Sequence, residues 1–271
     1  MRTTLSTLIA LSGFALAGSA HAGPFAPAAG SAGSTAIHKD SAAFVQWATG
    51  YSDYQPGPNV DAAWKNPAEG LGKAEGTSTD VVVLGDGGRI TLTFDGYITN
   101  GAGADFAVFE NSFSNTFLEL AFVEVSSNGT DFFRFPNYSF TPSPVSGFGT
   151  IDPTNIDGLA GKYRAGYGTP FDLDLLSGIA GLDVNNVQYV RLIDVVGNGS
   201  TFDSYPAAYG GPHPIYDPYP TSGSSGFDLD AVGVIHYAAF STTPPVPEPS
   251  QWAMYAAALG LLSVIVRRNR A

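Results

Sequence analysis

The chain has 271 residues, a formal net charge of −12 and no cysteine. The lack of thiols excludes disulfides, Cys-ligated zinc, iron–sulfur clusters and thiolate nucleophiles. The acidic balance argues against nucleic acid as a partner, because phosphate binding needs a basic surface.

In chain order, the first segment reads as a signal. Arg2 precedes an apolar run from about Leu5 to Ala17, then Ala20-His21-Ala22 and Gly23-Pro24. This is the order of a secretory signal peptide over 1–22, with Ala20 and Ala22 as the small residues of an A-x-A cleavage site. The run is short for a membrane span. Residues 23–78 are expected to be an N-terminal extension, with a low-complexity lead and a short helix over 40–48. Asp40 or Ser41 would cap that helix and Gly50 would stop it.

Strand patterns begin at 79 and continue to 241. Val81–Leu84 is an apolar run closed by Gly85-Asp86-Gly87-Gly88, and 89–94 alternates polar and apolar residues. Further strands are predicted over 105–110, 118–126, 132–135, 187–196 and 227–237, separated by turns such as Ser127-Asn128-Gly129 and Gly197-Asn198-Gly199. Residues 138–181 lack a clear period and are predicted as long loops with one short helix near 173–176. Spaced short strands of this kind predict an all-β fold, an antiparallel β-sandwich.

The last segment, 242–271, has a proline-rich linker, an apolar stretch from Trp252 to Val266, and Arg267, Arg268 and Arg270. By itself this fits a C-terminal membrane anchor with its arginines on the cytoplasmic side. Val246-Pro247-Glu248-Pro249, an apolar helix and an arginine cluster, in that order, resemble the PEP-CTERM sorting signal. The resemblance implies recognition by an exosortase through Pro247, Glu248, Pro249, Arg267 and Arg268, and then removal of the hydrophobic helix. It also implies delivery to the outer surface or extracellular matrix of a Gram-negative bacterium, with membrane contact only through that helix before processing. Between residues 23 and 247 the chain keeps 8 basic and 23 acidic residues, a net charge of −15. Such a body suits divalent cations or simple solubility.

The stretch 123–132, Val-Glu-Val-Ser-Ser-Asn-Gly-Thr-Asp-Phe, resembles a hairpin of discoidin-like, galactose-binding jelly rolls. Val187–Leu192 and Phe227–Val234 look like later strands of that fold. Gly103-Ala104-Asp105-Phe106 with Phe109-Glu110-Asn111 is also similar to a group of uncharacterised bacterial surface proteins. The jelly-roll resemblance implies a binding module, often for sugars and often with structural calcium.

The residues themselves leave alternatives open. Calcium takes six to eight oxygen ligands, and Asp105, Glu110, Asp194, Asp228 and Asp230 offer carboxylates beside turns. On a regular strand Asp228 and Asp230 share a face, so a cation or a basic side chain (Arg191, Arg164 or Lys162) should lie between them. The bland alternative is solvated turn carboxylates and an internal salt bridge. Tyr205, Tyr209, Tyr216 and Tyr219 cluster in a Pro/Gly loop, where they either stack on sugar rings or pack against the sandwich. His213 is expected to be exposed and His236 satisfied within its strand. No zinc spacing and no G-x-S-x-G elbow occur. A glycosidase would need two suitably spaced carboxylates, for which Glu110, Glu119 and Glu124 are candidates. Strand parity puts Glu119 and Glu124 on different sides. The leading expectation is a non-enzymatic, polysaccharide-binding or biofilm-associated surface protein. A structural envelope component without a ligand and a secreted carbohydrate-active hydrolase are the alternatives.

Overall fold

The computed structural model describes residues 23–240. The signal segment 1–22, with Ala20 and Ala22, lies outside them. So does the sorting segment 242–271, with Pro247, Glu248, Pro249, Arg267 and Arg268. Beyond Tyr237 the chain belongs to a second unit, of which only Ala238–Phe240 are described.

The chain is mostly β. In order, its strands are β1 (Ile37–His38), β2 (Gln46–Trp47), β3 (Gly50–Gln55), β4 (Val82–Val83), β5 (Arg89–Ile98), β6 (Phe106–Glu110), β7 (Ala121–Ser126), β8 (Phe133–Arg134), β9 (Tyr138–Ser139), β10 (Ile156–Asp157), β11 (Tyr167–Phe171), β12 (Val187–Asp194), β13 (Asn198–Phe202), β14 (Pro214–Tyr216), β15 (Asp228–Val234) and β16 (Tyr237–Ala239). The first large sheet runs β1-β11-β6-β15-β2, with β4 also paired to β15. The second contains β5-β12-β7-β8, with β3 also paired to β5. The pairings within these sets are antiparallel.

Alternation explains how the sheets meet. Ile90, Leu92 and Phe94 of β5, Val123 and Val125 of β7, and Val190 and Leu192 of β12 point one way. They join Phe106 and Val108 of β6 and Leu229, Val232 and Val234 of β15 in one buried cluster. The two sheets therefore face each other across a shared core, an arrangement compatible with a β-sandwich.

Strands β6 and β15 are buried along their whole length. Their outer faces need a cover, and the segment before β3 provides it. Phe44 and Trp47 pack on Phe109, each with ring centroids 5.5 Å away. The expected helix over 40–48 does not form. Val45 N–H donates to Val234 C=O and Ala48 N–H to Val232 C=O, at 2.9 and 3.0 Å. Pairing with β15 outweighs the local helical pattern, so part of the expected N-terminal extension is woven into both sheets. The only helices among the described residues are short 3₁₀ turns, one of them the expected Leu173–Leu176. None of the described helices is long and apolar enough to cross a membrane.

The loop region 138–181 is more ordered than its sequence suggests. Tyr167–Phe171 pairs with β6, and Ile151, Ile156 and Leu159 join Leu118, Leu120, Phe122, Val195 and Ile215 in a second buried cluster. Glycine and proline obscure this region's period without preventing its burial.

Candidate functional site: an acidic pocket under an aromatic ledge

Strand β6 ends at Glu110 and β15 begins at Asp228, on neighbouring strands whose register pairs Glu110 with Leu229. Between β6 and β7 the chain makes a tight loop. Ser112 Oγ bonds the carbonyls of Ser114 and Phe117, while Ser114 Oγ accepts from the Phe117 N–H at 2.9 Å. This loop presents Phe113 and Phe117, stacked with centroids 4.5 Å apart. Phe148, from the 138–181 region, extends the stack at 6.2 Å from Phe117. Phe113 and Phe148 are 70% and 83% exposed.

Below this ledge lies a cavity of about 180 Å³, lined by the three phenylalanines, Ser78, Asn111, Glu119, Ser224, Ser225 and Asp228. Asn111 Nδ2 donates to Asp228 Oδ2 at 3.0 Å and to the Ser78 carbonyl at 3.3 Å. Glu119 Oε1 accepts from Gly226 N–H at 2.7 Å. Glu110 Oε2 accepts from Ser112 N–H at 2.9 Å. Two oxygens have no donor: Glu110 Oε1 and Asp228 Oδ1 are buried and unpartnered.

More acid stands close by. Asp194 takes Gly87 N–H at 3.0 Å and Phe227 N–H at 2.6 Å, and Asp217 takes Leu120 N–H at 2.9 Å. Asp86 accepts from Thr221 Oγ1 at 2.5 Å. Burial, and then mutual repulsion, pushes Glu110, Asp194, Asp217 and Asp228 well above the usual carboxylate range. Burial lifts Glu119 to about 7, against the pull of the Gly226 N–H and with a smaller push from Asp86. What opposes these shifts is N–H donation from the backbone and Asn111; no basic side chain contributes.

The five carboxylates expected to bind metal therefore separate. Glu110, Asp194 and Asp228 enter this cluster. Asp105 is elsewhere and saturated, accepting from Gly101 N–H (2.8 Å) and Leu173 N–H (2.7 Å) while facing His236 Nδ1 at 2.7 Å. Asp230 anchors the preceding loop through Glu75 N–H and Gly76 N–H, both at 2.9 Å. A register shift between Leu229 and Ala231 breaks the regular parity on which the pairing of Asp228 with Asp230 was based. The basic residues expected between them are engaged elsewhere. Arg191 joins Arg134 in clamping Glu124 at 3.0 and 2.9 Å, Arg164 lies over the Tyr167 ring, and Lys162 faces Asp157 at 3.8 Å. Glu119 and Glu124 do have different surroundings. Among the described residues no group of three His, Cys, Asp or Glu side chains is already spaced to hold a metal ion.

The tyrosine loop is also divided. Tyr205 packs edge-on against Tyr138 and Phe140, at 5.7 and 5.3 Å, and tilts against His213 at 4.9 Å. His213, expected to be exposed, is half-buried and faces Asp203 at 3.0 Å. Tyr216 lies in β14, and Tyr209 and Tyr219 are exposed. No ring contact among the described residues joins two of these four tyrosines. A larger cavity of about 440 Å³ opens near Ile37, Phe135, Tyr138, Phe171 and Leu175. It is chiefly apolar, and its carboxylates are occupied, Asp157 with Lys162 and Asp172 with Asp174 N–H at 2.9 Å. The acidic pocket thus concentrates the uncompensated chemistry. No protein-family model, curated protein or solved structure matches the chain.

Glu110, Glu119 and Asp228 stand out in the sequence, but the ledge does not. Its available signal was apolar rings inside Ser/Gly/Asn-rich loops, at Phe113 and Phe148, where no core strand accounts for them.

Proposed function

We propose that the chain is an exported cell-surface or extracellular-matrix protein that binds polysaccharide without turning it over, on the Phe113–Phe117–Phe148 ledge. The observation that carries this reading is a pair of exposed rings, Phe113 and Phe148, stacked on the buried Phe117 directly beside hydroxyl, amide and carboxylate groups. Sugar rings offer apolar C–H faces to aromatic rings and hydroxyls to groups such as Asn111, Ser224, Ser225 and Glu119. The exported address rests on the two terminal signals, with an exosortase as the processing partner. The chain's repeated passage between the two sheets, β4 to β5 to β6 to β7 and again β11 to β12 to β15, supports a jelly-roll topology.

A hydrolase reading is favoured by one feature, the Glu119 carboxyl with its pKa near 7 facing a pocket it shares with Asp228. Acid–base catalysis needs two carboxyls pushed apart in pKa. Asp228 is pushed up by burial and then by Glu119, and the exposed rings beside the pocket are what favour binding over turnover.

Affinity electrophoresis or a glycan array with the full chain tests the proposal. Phe113→Ala with Phe148→Ala is expected to weaken binding at least about tenfold, worth roughly 1.4 kcal/mol, with the melting temperature nearly unchanged. Binding that instead disappears in Tyr216→Ala with Tyr219→Ala moves the site to the tyrosine loop. Turnover lost in Glu119→Gln establishes the hydrolase. Loss of matrix on deletion without any glycan binding establishes a structural component.

A further inference from the structure

The first described residues form a low-complexity lead, yet they are held in place. Gly23 N–H donates to Thr154 Oγ1 at 2.6 Å, and Phe25 N–H donates to the Thr154 carbonyl at 3.1 Å. The Phe25 ring stacks on Tyr138 and Phe140, with centroids 5.9 and 5.5 Å away. Thr154 is buried. Its hydroxyl donates to Asp152 Oδ1 at 2.7 Å, and its N–H donates to the same oxygen at 2.9 Å. A hydroxyl has one proton to give. With that proton committed to Asp152, Thr154 Oγ1 is fixed as an acceptor toward Gly23. The seat also excludes any side chain at position 23, because a Cβ built there would collide with the Thr154 carbonyl and with Asn155 Oδ1. A carboxylate-backed acceptor, facing the nitrogen of a residue that must be glycine, suits an ammonium better than an amide.

We infer that Thr154 and Asp152 form a docking site for the α-ammonium that export creates at Gly23, so that cleavage after Ala22 completes this corner of the fold. The inference rests on the signal-peptide reading of residues 1–22 and is independent of glycan recognition. In the uncut chain the Gly23 nitrogen is an amide with one hydrogen and no charge, and its bond to Thr154 stands in for that of the mature ammonium. Hydrolysis of the Ala22–Gly23 bond consumes one water, leaves a carboxylate on Ala22 and a protonated amine on Gly23. At pH 7 an α-amine, with an ordinary pKa of about 7.7–8.0, is mostly charged. Its hydrogen bond to Thr154 Oγ1 then becomes charge-assisted, roughly twice as strong as the neutral one. Asp152 stands one hydroxyl away and offsets the charge. Seating the terminus also fixes Phe25, two residues on, against Tyr138 and Phe140.

The reactivity of the α-amine tests this on the processed protein recovered after export. The protein is acylated at pH 7 with an N-hydroxysuccinimide ester, and mass spectrometry of the N-terminal peptide follows the rate. The α-amine is expected to react at least about tenfold more slowly in the folded chain than in the same chain in urea, the reach of one charged hydrogen bond. Gly23→Ala, whose methyl does not fit the seat, is expected to restore the urea rate. Thr154→Val, which removes the acceptor at nearly constant shape, is expected to do the same. Ser31→Ala, in the same lead but outside the seat, is expected to react as the parent does. If Thr154→Val does not fold, Gly23→Ala decides, because it alters only the terminal residue. A parent that reacts equally fast folded and in urea overturns the docking site. So does a slow rate that survives Gly23→Ala or a folded Thr154→Val. A mature terminus at a residue other than Gly23 overturns the inference together with the cleavage position, whereas a Gly23 terminus with a fast-reacting amine overturns the docking alone.

Discussion

Lys162 is the clearest single-residue test of how this interior treats charge. It is 2% exposed, its Nζ has no hydrogen-bond partner, and its ion-pair partner Asp157 is 3.8 Å away. Burial pulls its pKa down to about 8 from 10.5, against the pull of Asp157. Between those two values the unfolded chain binds the proton and the folded chain does not, so this residue's contribution to stability rises with pH from about 8 to 10.5. The full difference is on the order of 3 kcal/mol. Lys162→Met is therefore expected to be more stable than the parent at pH 7 and to lose that advantage by pH 10, as read from paired urea melts. A constant difference across that range would show that Lys162 does not lose its proton in the fold. At this scale the sequence was partly legible. Carboxylates beside turns marked Glu110, Asp194 and Asp228, but nothing local separates them from Asp105 and Asp230. Distant N–H donors hold Asp105 (Leu173), Asp230 (Glu75 and Gly76) and also Asp194 (Gly87 and Phe227), and what sets Asp194 apart is its acidic neighbours Asp86 and Glu119. The tyrosine loop misleads in the same way, because Tyr205 finds Tyr138 and Phe140 far along the chain.

Individual elements show what decides local structure. Strands β5 and β12 were readable because each alternates between a core face and a more exposed one, and β7 because its apolar residues alternate even though both of its faces are buried. Short β2 was not, since Phe44, Trp47 and Ala48 recur at a spacing that also suits a helix. Its conformation comes from the unpaired edge of β15 and from the outer apolar face around Ala107, Phe109 and Ala231. Trp47→Ala is expected to cost roughly 3 kcal/mol and to increase binding of a hydrophobic dye, measured by urea melts and fluorescence. A loss below about 0.5 kcal/mol would mean that this outer face does not depend on its cover. On the second sheet, Arg134 and Arg191 grip Glu124 from both sides and lie over Phe122 and Phe132 at 4.0 and 3.4 Å. That arrangement supplies cross-strand order on a half-wet face, and cross-strand ion pairing of this kind was not deduced from the sequence.

For the whole molecule, the composition foretold the class: many glycines and prolines, short strands and no disulfides led to an all-β fold held by packing. The order of strands within the sheets was not legible, because pairing partners lie up to about two hundred positions apart. The ends of the chain carry a prediction of their own. Mass spectrometry of the protein recovered from the cell surface is expected to show an N-terminus at Gly23 and no peptide from Trp252 to Val266. Recovery of that apolar peptide would return the C-terminus to a permanent membrane anchor.

The first sheet also constrains when folding finishes. Trp47 pairs with Gly233, and β6 sits between β11 and β15, so strands from both ends of the described chain close one layer. A polypeptide threaded through a pore from its N-terminus cannot complete that layer until residue 234 has emerged. High contact order of this kind slows folding. On the proposed export route, that closure would commit the chain to the native state only after nearly all of it had been delivered to the far side.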